Sequence, residues 1–427
     1  MTELYRLSAS EAAQRLAAGK LAAVDLVRSC LERIAEREET VGAWAHLDAD
    51  TALAEARARD QSSKRGPLHG IPVGVKDIMD TADLPTAYGS RAYGNHRPRA
   101  DAAAVALARE AGAVVLGKTV TTEFAAMSPG KTRNPHNPAH TPGGSSSGSA
   151  AGVADLMMPL AFGTQTAGSI IRPASFCGIV GMKPSFGQIA TAGTKILAHS
   201  LDTIGGFARS VADAALFIAA LTQRPDLVPS APAARPRLGV YRGESWGEAA
   251  PATIAALDAA KERLARAGAS LVELKPFPAF AELGRAQLAI MTYEAARNLA
   301  WERINRSSEI MPRTAAMLAD GLAVSATAYE GARRVAALAR AETGAFFGEV
   351  DAVVTPAAPG QAPLIDTTGD PVFNRAWTLL HLPCITLPGR RGPQGLPVGV
   401  QLVGRAGDDA RLLAIALFVE AALGAAA

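Results

Sequence analysis

Three short stretches concentrate the residues that could do chemistry. GGSSSGSAAG, residues 143 to 152, sets three serines between glycines; HGIPVGVKDIMD, residues 69 to 80, carries Lys76 at the end of an apolar run; GTQTAGSIIRPASFCG, residues 163 to 178, places Ser169 after Ala167 and Gly168. A serine hydroxyl is a weak nucleophile at neutral pH and needs an adjacent base. Burial at the end of an apolar run disfavours the charged form of Lys76 and lowers its pKa, and a neutral amine is such a base. Small residues before Ser169 let the backbone turn sharply and aim successive N–H groups at one point, as an oxyanion hole requires.

The glycine-serine stretch has other readings. A linker would lead into polar chain, but AAGVADLMMPLAFG follows, an apolar segment that must be buried. A phosphate-binding loop needs Lys and Ser/Thr where Ser149 and Ala150 stand. Gly144-Ser145-Ser146-Ser147-Gly148 also matches the G-x-S-x-G elbow of Ser-His-Asp hydrolases, with Asp366 and His381 available further on. An elbow needs a buried strand before it, whereas KTRNPHNPAHTP is polar and holds three prolines. Cys177 with Lys183 would offer a thiol nucleophile, but a small buried thiol is the plainer expectation. His136 and His140 form no HExxH pattern, so no metal site is expected.

Taken together and in this order, the three stretches resemble the amidase signature family of serine amidohydrolases. Gly70 to Asp77 is similar to the family's lysine block, Gly143 to Ser149 to its glycine-serine block and Thr166 to Arg172 to its nucleophile block; GKTVTTEFA and CGIVGMKPSFG extend the likeness from about Leu7 to Leu423. The resemblance implies a Ser-cisSer-Lys triad: Ser169 as nucleophile, Ser145 as the serine held by a cis peptide, Lys76 as general base. The family separates its serines by 24 positions, as 169 − 145 = 24 does here, which selects Ser145 over Ser146 and Ser147. It further implies that Ser146 supports the lysine by hydrogen bonding and that the backbone amides of Thr166, Ala167, Gly168 and Ser169 hold the oxyanion. The implied fold is α/β, a central mixed β-sheet sandwiched between layers of α-helices. The implied activity is hydrolysis of a carboxylic amide to acid and ammonia through an acyl-enzyme, with no cofactor.

Two positions depart from the pattern. Ala167 stands where the family usually has Gly, and Ala resists positive φ. Arg172 comes three residues after the nucleophile, whereas glutamine amidotransferase subunits working on mischarged transfer RNA usually place it two after. That shift points to a free-standing amidase, nearest in this block to small-acid amidases of malonamidase type. Arg172 then either pairs with a substrate carboxylate, which its guanidinium fork matches in two hydrogen bonds, or forms an internal salt bridge. The other reading is an A-type amidotransferase subunit, or a non-catalytic subunit dependent on a partner.

These groups must be positioned by a large interior. The chain has 427 residues, 48 % hydrophobic and only 19 % charged, enough apolar content for a sizeable core. Its formal charge is +3, no basic run stands out, and aromatics make up 5 %, which predicts no nucleic-acid partner; the resemblance implies a small-molecule amide substrate. Cys30, Cys177 and Cys384 lie far apart, as in a reducing compartment. MTELYRLSAS lacks a secretory pattern, and the apolar tail LLAIALFVEAALGAAA is too short to span a bilayer. A cytoplasmic protein without membrane contact is expected, and the resemblance allows a homodimer.

Along the chain, Ser8 and Glu11 have capping-box spacing before the helical EAAQRLAAGK, and LAAVDLVRSCLERIAERE makes a second helix. IPVGVKD, AVVLGKT, RLGVYRG, SLVELK, DAVVTP and VGVQLVG read as strands; DAAAVALAREAGA, ATIAALDAAKERLARAGA and DDARLLAIALFVEAAL read as helices between or after them. Such alternation predicts a sheet covered on both faces. No linker or repeat divides the chain, so residues 1–427 are expected to form one domain, with the helical segment 280–348 as a subdomain or a cover over the site.

Overall fold

A computed structural model describes residues 3–243 and 245–424. Its frame is one eleven-stranded sheet: β1 (Trp44–Leu47), β2 (Pro72–Lys76), β3 (Val114–Thr119), β4 (Leu160–Gln165), β5 (Val180–Lys183), β6 (Thr203–Ala208), β7 (Arg237–Val240), β8 (Ser270–Glu273), β9 (Ala352–Pro356), β10 (Cys384–Arg391) and β11 (Pro397–Val403). Their order across the sheet is β1-β3-β2-β4-β6-β5-β10-β11-β9-β7-β8. The sheet is mixed: β2 runs parallel to both β3 and β4, β7 parallel to both β8 and β9, and the remaining pairs are antiparallel. Every residue of β2, β3, β4, β6, β9 and β11 is buried. Since side chains alternate between faces, burial of consecutive residues means that helices and loops cover both.

The patterned segments form where their periodicity places them. Ser8 caps the helix Ala9–Ala17 by accepting from the Glu11 N–H at 3.0 Å, and the longer helix Ala23–Val41 follows. DAAAVALAREAGA yields Ala103–Glu110, and the C-terminal pattern yields Asp409–Leu423. Five strands carry no such signature. β4 (LAFGTQ) and β6 (TIGGFA) are glycine-bearing and buried on both faces, so they lack the alternation that marks a half-exposed strand; β1, β5 and β10 were likewise not legible. Segment 280–348 is helical throughout most of its length, from Leu283–Asn298 to Thr343–Phe347.

The stretch 143–152 is neither linker nor free loop. Its serines and glycines are buried, and from Ser147 to Ala154 it is a helix packed across the sheet. Gly148 is required by proximity: a Cβ there would lie 2.1 Å from the Ala43 carbonyl oxygen and 2.4 Å from the Val120 nitrogen.

Behind the site, Lys118 on β3 lies 3.3 Å from the Asp77 carboxylate and donates to the Met79 carbonyl at 2.7 Å and the Thr86 hydroxyl at 2.6 Å, all of it buried. This pair fixes the chain as it leaves β2 just after Lys76. Removing one partner of a buried ion pair strands the other, at a cost of about 3–5 kcal/mol. Asp77→Ala should therefore lower the unfolding free energy by that amount in urea titration, and the double variant Asp77→Ala/Lys118→Met should recover much of it.

Candidate active site

Lys76 ends β2, and its neighbour β4 runs parallel with Gly74 opposite Ala161, so the register brings Lys76 beside Gly163 and Thr164. The Lys76 amine is fully buried. It bonds the Ser145 hydroxyl at 2.8 Å and the Thr164 hydroxyl at 2.6 Å, and it makes no ion pair among the described residues. Burial lowers its pKa from 10.5 to about 7, opposed only by the more distant negative charge of Asp202. The Gly144–Ser145 peptide bond is cis.

Ser146 does not reach the amine. Its hydroxyl accepts from the Thr164 N–H and donates to the Thr164 carbonyl, both at 3.3 Å, so its support of Lys76 is indirect and the direct contact belongs to Thr164, which sequence reasoning missed. A threonine on a strand adjacent to the lysine strand could be found only by knowing that β2 and β4 pair.

Ser169 lies at the turn between β4 and the helix Ile171–Cys177, on the wall of a narrow cavity of about 50 Å³ shared with Thr166, Ala167, Arg172, Thr368 and Arg375. No hydrogen bond joins Ser145 to Ser169, but the two segments are tied: the Arg172 guanidinium donates to the Gly144 carbonyl at 2.6 Å. The turn itself is held from behind. Gln287 donates to the Thr166 carbonyl at 3.0 Å, Thr378 to the Ala167 carbonyl at 2.8 Å, and the Arg172 N–H to the Gly168 carbonyl at 3.0 Å. In a trans peptide the N–H points opposite to the C=O. Anchoring these three carbonyls therefore turns the amides of Ala167, Gly168 and Ser169 the other way, and none of the three has an acceptor among the described residues. Such free donors can hold a developing oxyanion. Ala167 keeps φ out of the positive range, so its methyl group brings no backbone strain.

Gln165 completes the brace: its carbonyl oxygen accepts from the N–H groups of Ile170 and Ile171 at 2.9 and 3.0 Å while its amide donates to Thr378 at 2.9 Å. The Thr166 hydroxyl donates to Asp202 at 2.5 Å. Burial raises the Asp202 carboxyl to about 6, against hydrogen bonds from Thr166, Leu197 and Ala198 and the attraction of Lys76. Segment 280–348 supplies Gln287, Met291 and Met317 to the site.

Arg172 is almost fully buried and forms no salt bridge among the described residues. Its Nη2 takes the Gly144 carbonyl and, at 3.4 Å, the Thr368 hydroxyl, while Nε and Nη1 have no partner. Burial, followed by the neighbouring charge of Arg375, lowers its guanidinium to about 9, still protonated at neutral pH.

The competing constellations are not assembled. His381 stacks on Phe186 with centroids 4.0 Å apart and bonds the Ser200 carbonyl and Arg340; burial takes its pKa down to about 4. It therefore makes no contact with Ser146, and Asp366 is exposed, its carbonyl bonded to Arg313. Cys177 is buried beside the Pro142 carbonyl with its thiol pushed far up, and Lys183 bonds the carbonyls of Pro184 and Leu382 instead. His136 and His140 each bond a backbone carbonyl, and no metal-binding cluster occurs among the described residues.

The Amidase family model matches residues 25–413. The chain is 35 % identical over 469 aligned residues to the A component of the glutamyl-tRNA(Gln) amidotransferase of Chloroflexus aggregans, covering 97 % of this chain and 96 % of that protein. Among solved structures it is similar to an amidase at TM-score 0.90 and 31 % identity, covering 98 % of this chain and all of that one. It is also similar, at TM-score 0.90 and 28 % identity, to a protein from a vestigial complex bearing on the origins of an s-triazine catabolic enzyme, covering 98 % and 99 % of the two chains. The chain belongs to the Amidase family, with the mixed sheet flanked by helices and the amidohydrolase machinery of that family.

Two expectations change. The curated relative carries the amidotransferase name, so the likeness to malonamidases drawn from the nucleophile block is not supported. The exclusion of nucleic acid in favour of a small-molecule amide alone is overturned, because that relative's name joins its activity to a transfer RNA and to an assembly of subunits. Net charge describes one chain's surface, and an assembly can place its RNA contacts on another. Among the described residues no helix is long and apolar enough to cross a membrane.

A lysine acts as base only when neutral, and a pKa near 7 places that transition in the assayable range. The rate constant kcat/KM should rise with pH through about 7 and level off above it, where an ordinary lysine would keep it rising past 10. Asp202 favours the protonated amine, so Asp202→Asn should move the rising limb to lower pH; pH–rate profiles of both proteins test the sign.

Proposed function

We propose that the chain is an A-type amidotransferase subunit that hydrolyses a carboxamide through an acyl-enzyme on Ser169, releasing ammonia for use with a partner. The observation that carries the assignment to such an assembly is the match to the amidotransferase component over nearly the full length of both chains. The relative from the vestigial complex supports dependence on a partner.

The contact of Lys76 with Ser145 supports the following sequence of proton movements. In its neutral form the Lys76 amine can give one N–H to Thr164 and turn its lone pair to the Ser145 hydroxyl. As the Ser169 oxygen bonds the amide carbon, its proton passes to Ser145, whose own proton passes to Lys76. The carbonyl oxygen takes up negative charge facing the amides of Ala167, Gly168 and Ser169, and losing one such donor typically costs about 3 kcal/mol. Lys76 then returns the proton through Ser145 to the leaving nitrogen, the C–N bond breaks and ammonia departs. Water repeats the route to free the acid.

A second reading, an amidase active without a partner, is supported by the likeness to a solved amidase. In either reading the unpartnered buried Nε and Nη1 of Arg172, in the cavity with Ser169, suit a substrate carboxylate, and glutamine itself is an amide bearing one.

Labelling with a fluorophosphonate followed by peptide mapping tests the chemistry. A stoichiometric adduct on Ser169 that disappears in Lys76→Ala is expected; an adduct on Ser146, or none, rejects the triad. Ammonia release from glutamine by the isolated chain, and with candidate partner subunits added, separates the two readings. Arg172→Ala should reduce hydrolysis of a carboxylate-bearing amide at least tenfold more than that of its neutral analogue; an unchanged ratio makes Arg172 structural.

A further inference from the structure

The helix Leu283–Asn298 turns one row of side chains towards the site, and two of them have been met above: Gln287 donates to the Thr166 carbonyl and Met291 lines the cavity. Positions 287, 291, 294 and 298 follow the i, i+4, i+7, i+11 spacing of a single helical face. The next members of the row, Glu294 and Asn298, reach a different piece of chain, residues 195–202, which forms neither helix nor strand. Irregular backbone takes its shape from the groups that satisfy its polar atoms.

Glu294 holds the middle of that strap. It is 1 % exposed and accepts from the Ser200 N–H at 3.0 Å, the Ser200 hydroxyl at 2.7 Å and the Tyr329 hydroxyl at 2.9 Å, with His199 Nδ1 at 3.4 Å. Asn298 donates to the Leu197 carbonyl at 3.1 Å, and Glu302, on the following helix Ala300–Asn305, pairs with Lys195. His381, bonded also to Arg340, meets the Ser200 carbonyl at 2.9 Å. Taking a carboxylate out of water is costly unless hydrogen bonds fix it, and no lysine or arginine pairs with Glu294 among the described residues. What the group supplies is acceptor oxygens at a set position for Ser200.

The strap so held turns the N–H groups of Leu197 and Ala198 onto the Asp202 carboxylate at 2.7 and 3.3 Å, and the same carboxylate accepts from the Thr166 hydroxyl at 2.5 Å. Thr166 is therefore gripped at its carbonyl by Gln287 and at its hydroxyl by Asp202, and both grips lead back to one face of one helix. Asp202 is also the one charged group that opposes the loss of the Lys76 proton.

We propose that Glu294 is a positioning residue for the reaction, which acts through Ser200 to hold Asp202 against Thr166 and within electrostatic reach of Lys76. Its removal would let the strap loosen and Asp202 turn towards water, weakening the hold of that carboxylate on the protonated amine. This inference rests on the acyl-enzyme reading above.

The rate at which a fluorophosphonate labels Ser169, followed against pH, reports the base without a known substrate. The full chain is compared with Glu294→Ala, Ser200→Ala, His199→Gln, Asp202→Asn and the double variant Glu294→Ala/Asp202→Asn. Glu294→Ala should move the midpoint of the rising limb to lower pH, the direction expected of Asp202→Asn, by about half a pH unit. Ser200→Ala keeps the backbone N–H and should give a smaller shift of the same sign, which carries the test if Glu294→Ala does not fold. In the double variant the midpoint should lie where Asp202→Asn alone puts it, since both changes act through one carboxylate. A lower rate at every pH with the midpoint unmoved marks a structural residue and overturns the proposal, as does a shift to higher pH or one that adds in full to that of Asp202→Asn. A shift in His199→Gln as large as that in Glu294→Ala would assign the effect to the imidazole and overturn it too. In each of these cases Ser169 still labels and the acyl-enzyme reading stands; if wild-type Ser169 never labels, both fall.

Discussion

The interaction on which the site depends is the burial of the Lys76 amine against two hydroxyls with no carboxylate in contact. An ammonium taken out of water without a counter-ion is costly, and the group responds by giving up its proton. That response is what makes a lysine usable as a base near neutral pH. It requires a site dry enough to penalise the charge and polar enough to orient the neutral amine. The parallel pairing of β2 with β4 provides both, since each strand is buried on both faces and Thr164 is delivered to the amine from the adjacent strand.

The same logic governs the turn before Ser169. Its amides are left free only because its carbonyls are satisfied elsewhere, by Gln287, Thr378 and the Arg172 backbone. Buried polar groups need partners, and here the partners have been allotted to one side of each peptide so that the other side stays open. Gln165 serves two ends of this brace, holding the start of the helix after Ser169 and orienting Thr378. Other prominent motif charges are structural: Lys118 with Asp77, and Lys183 on two carbonyls, secure the ends of strands next to the site.

Charge was the weakest guide. A nearly neutral surface with few aromatics argued against nucleic acid, yet a relative aligned over almost the whole chain is named for a transfer-RNA-linked activity. Composition reports on long-range attraction of the chain's own surface, whereas one member of an assembly does not determine the surface of the whole. Arg172 illustrates the same limit locally. The sequence left it between substrate contact and salt bridge, and the structure removes the salt bridge among the described residues.

By itself the sequence determined the class of chemistry, because the short blocks that hold Lys76, Ser145 and Ser169 resemble, in type and order, those of the amidase signature family. It also determined the strands and helices whose apolar periodicity is strong, from β2 and β3 to the final helix Asp409–Leu423. What only the tertiary structure decided are the groups that tune and brace those residues: Thr164, Asp202, Gln287, Arg375 and Thr378. They come from strands buried on both faces, which show no alternation, or from segments well beyond Ser169 in the chain. No local pattern marks a glutamine or a threonine for such work; its role exists only once the sheet has closed and a particular carbonyl or amine needs a partner.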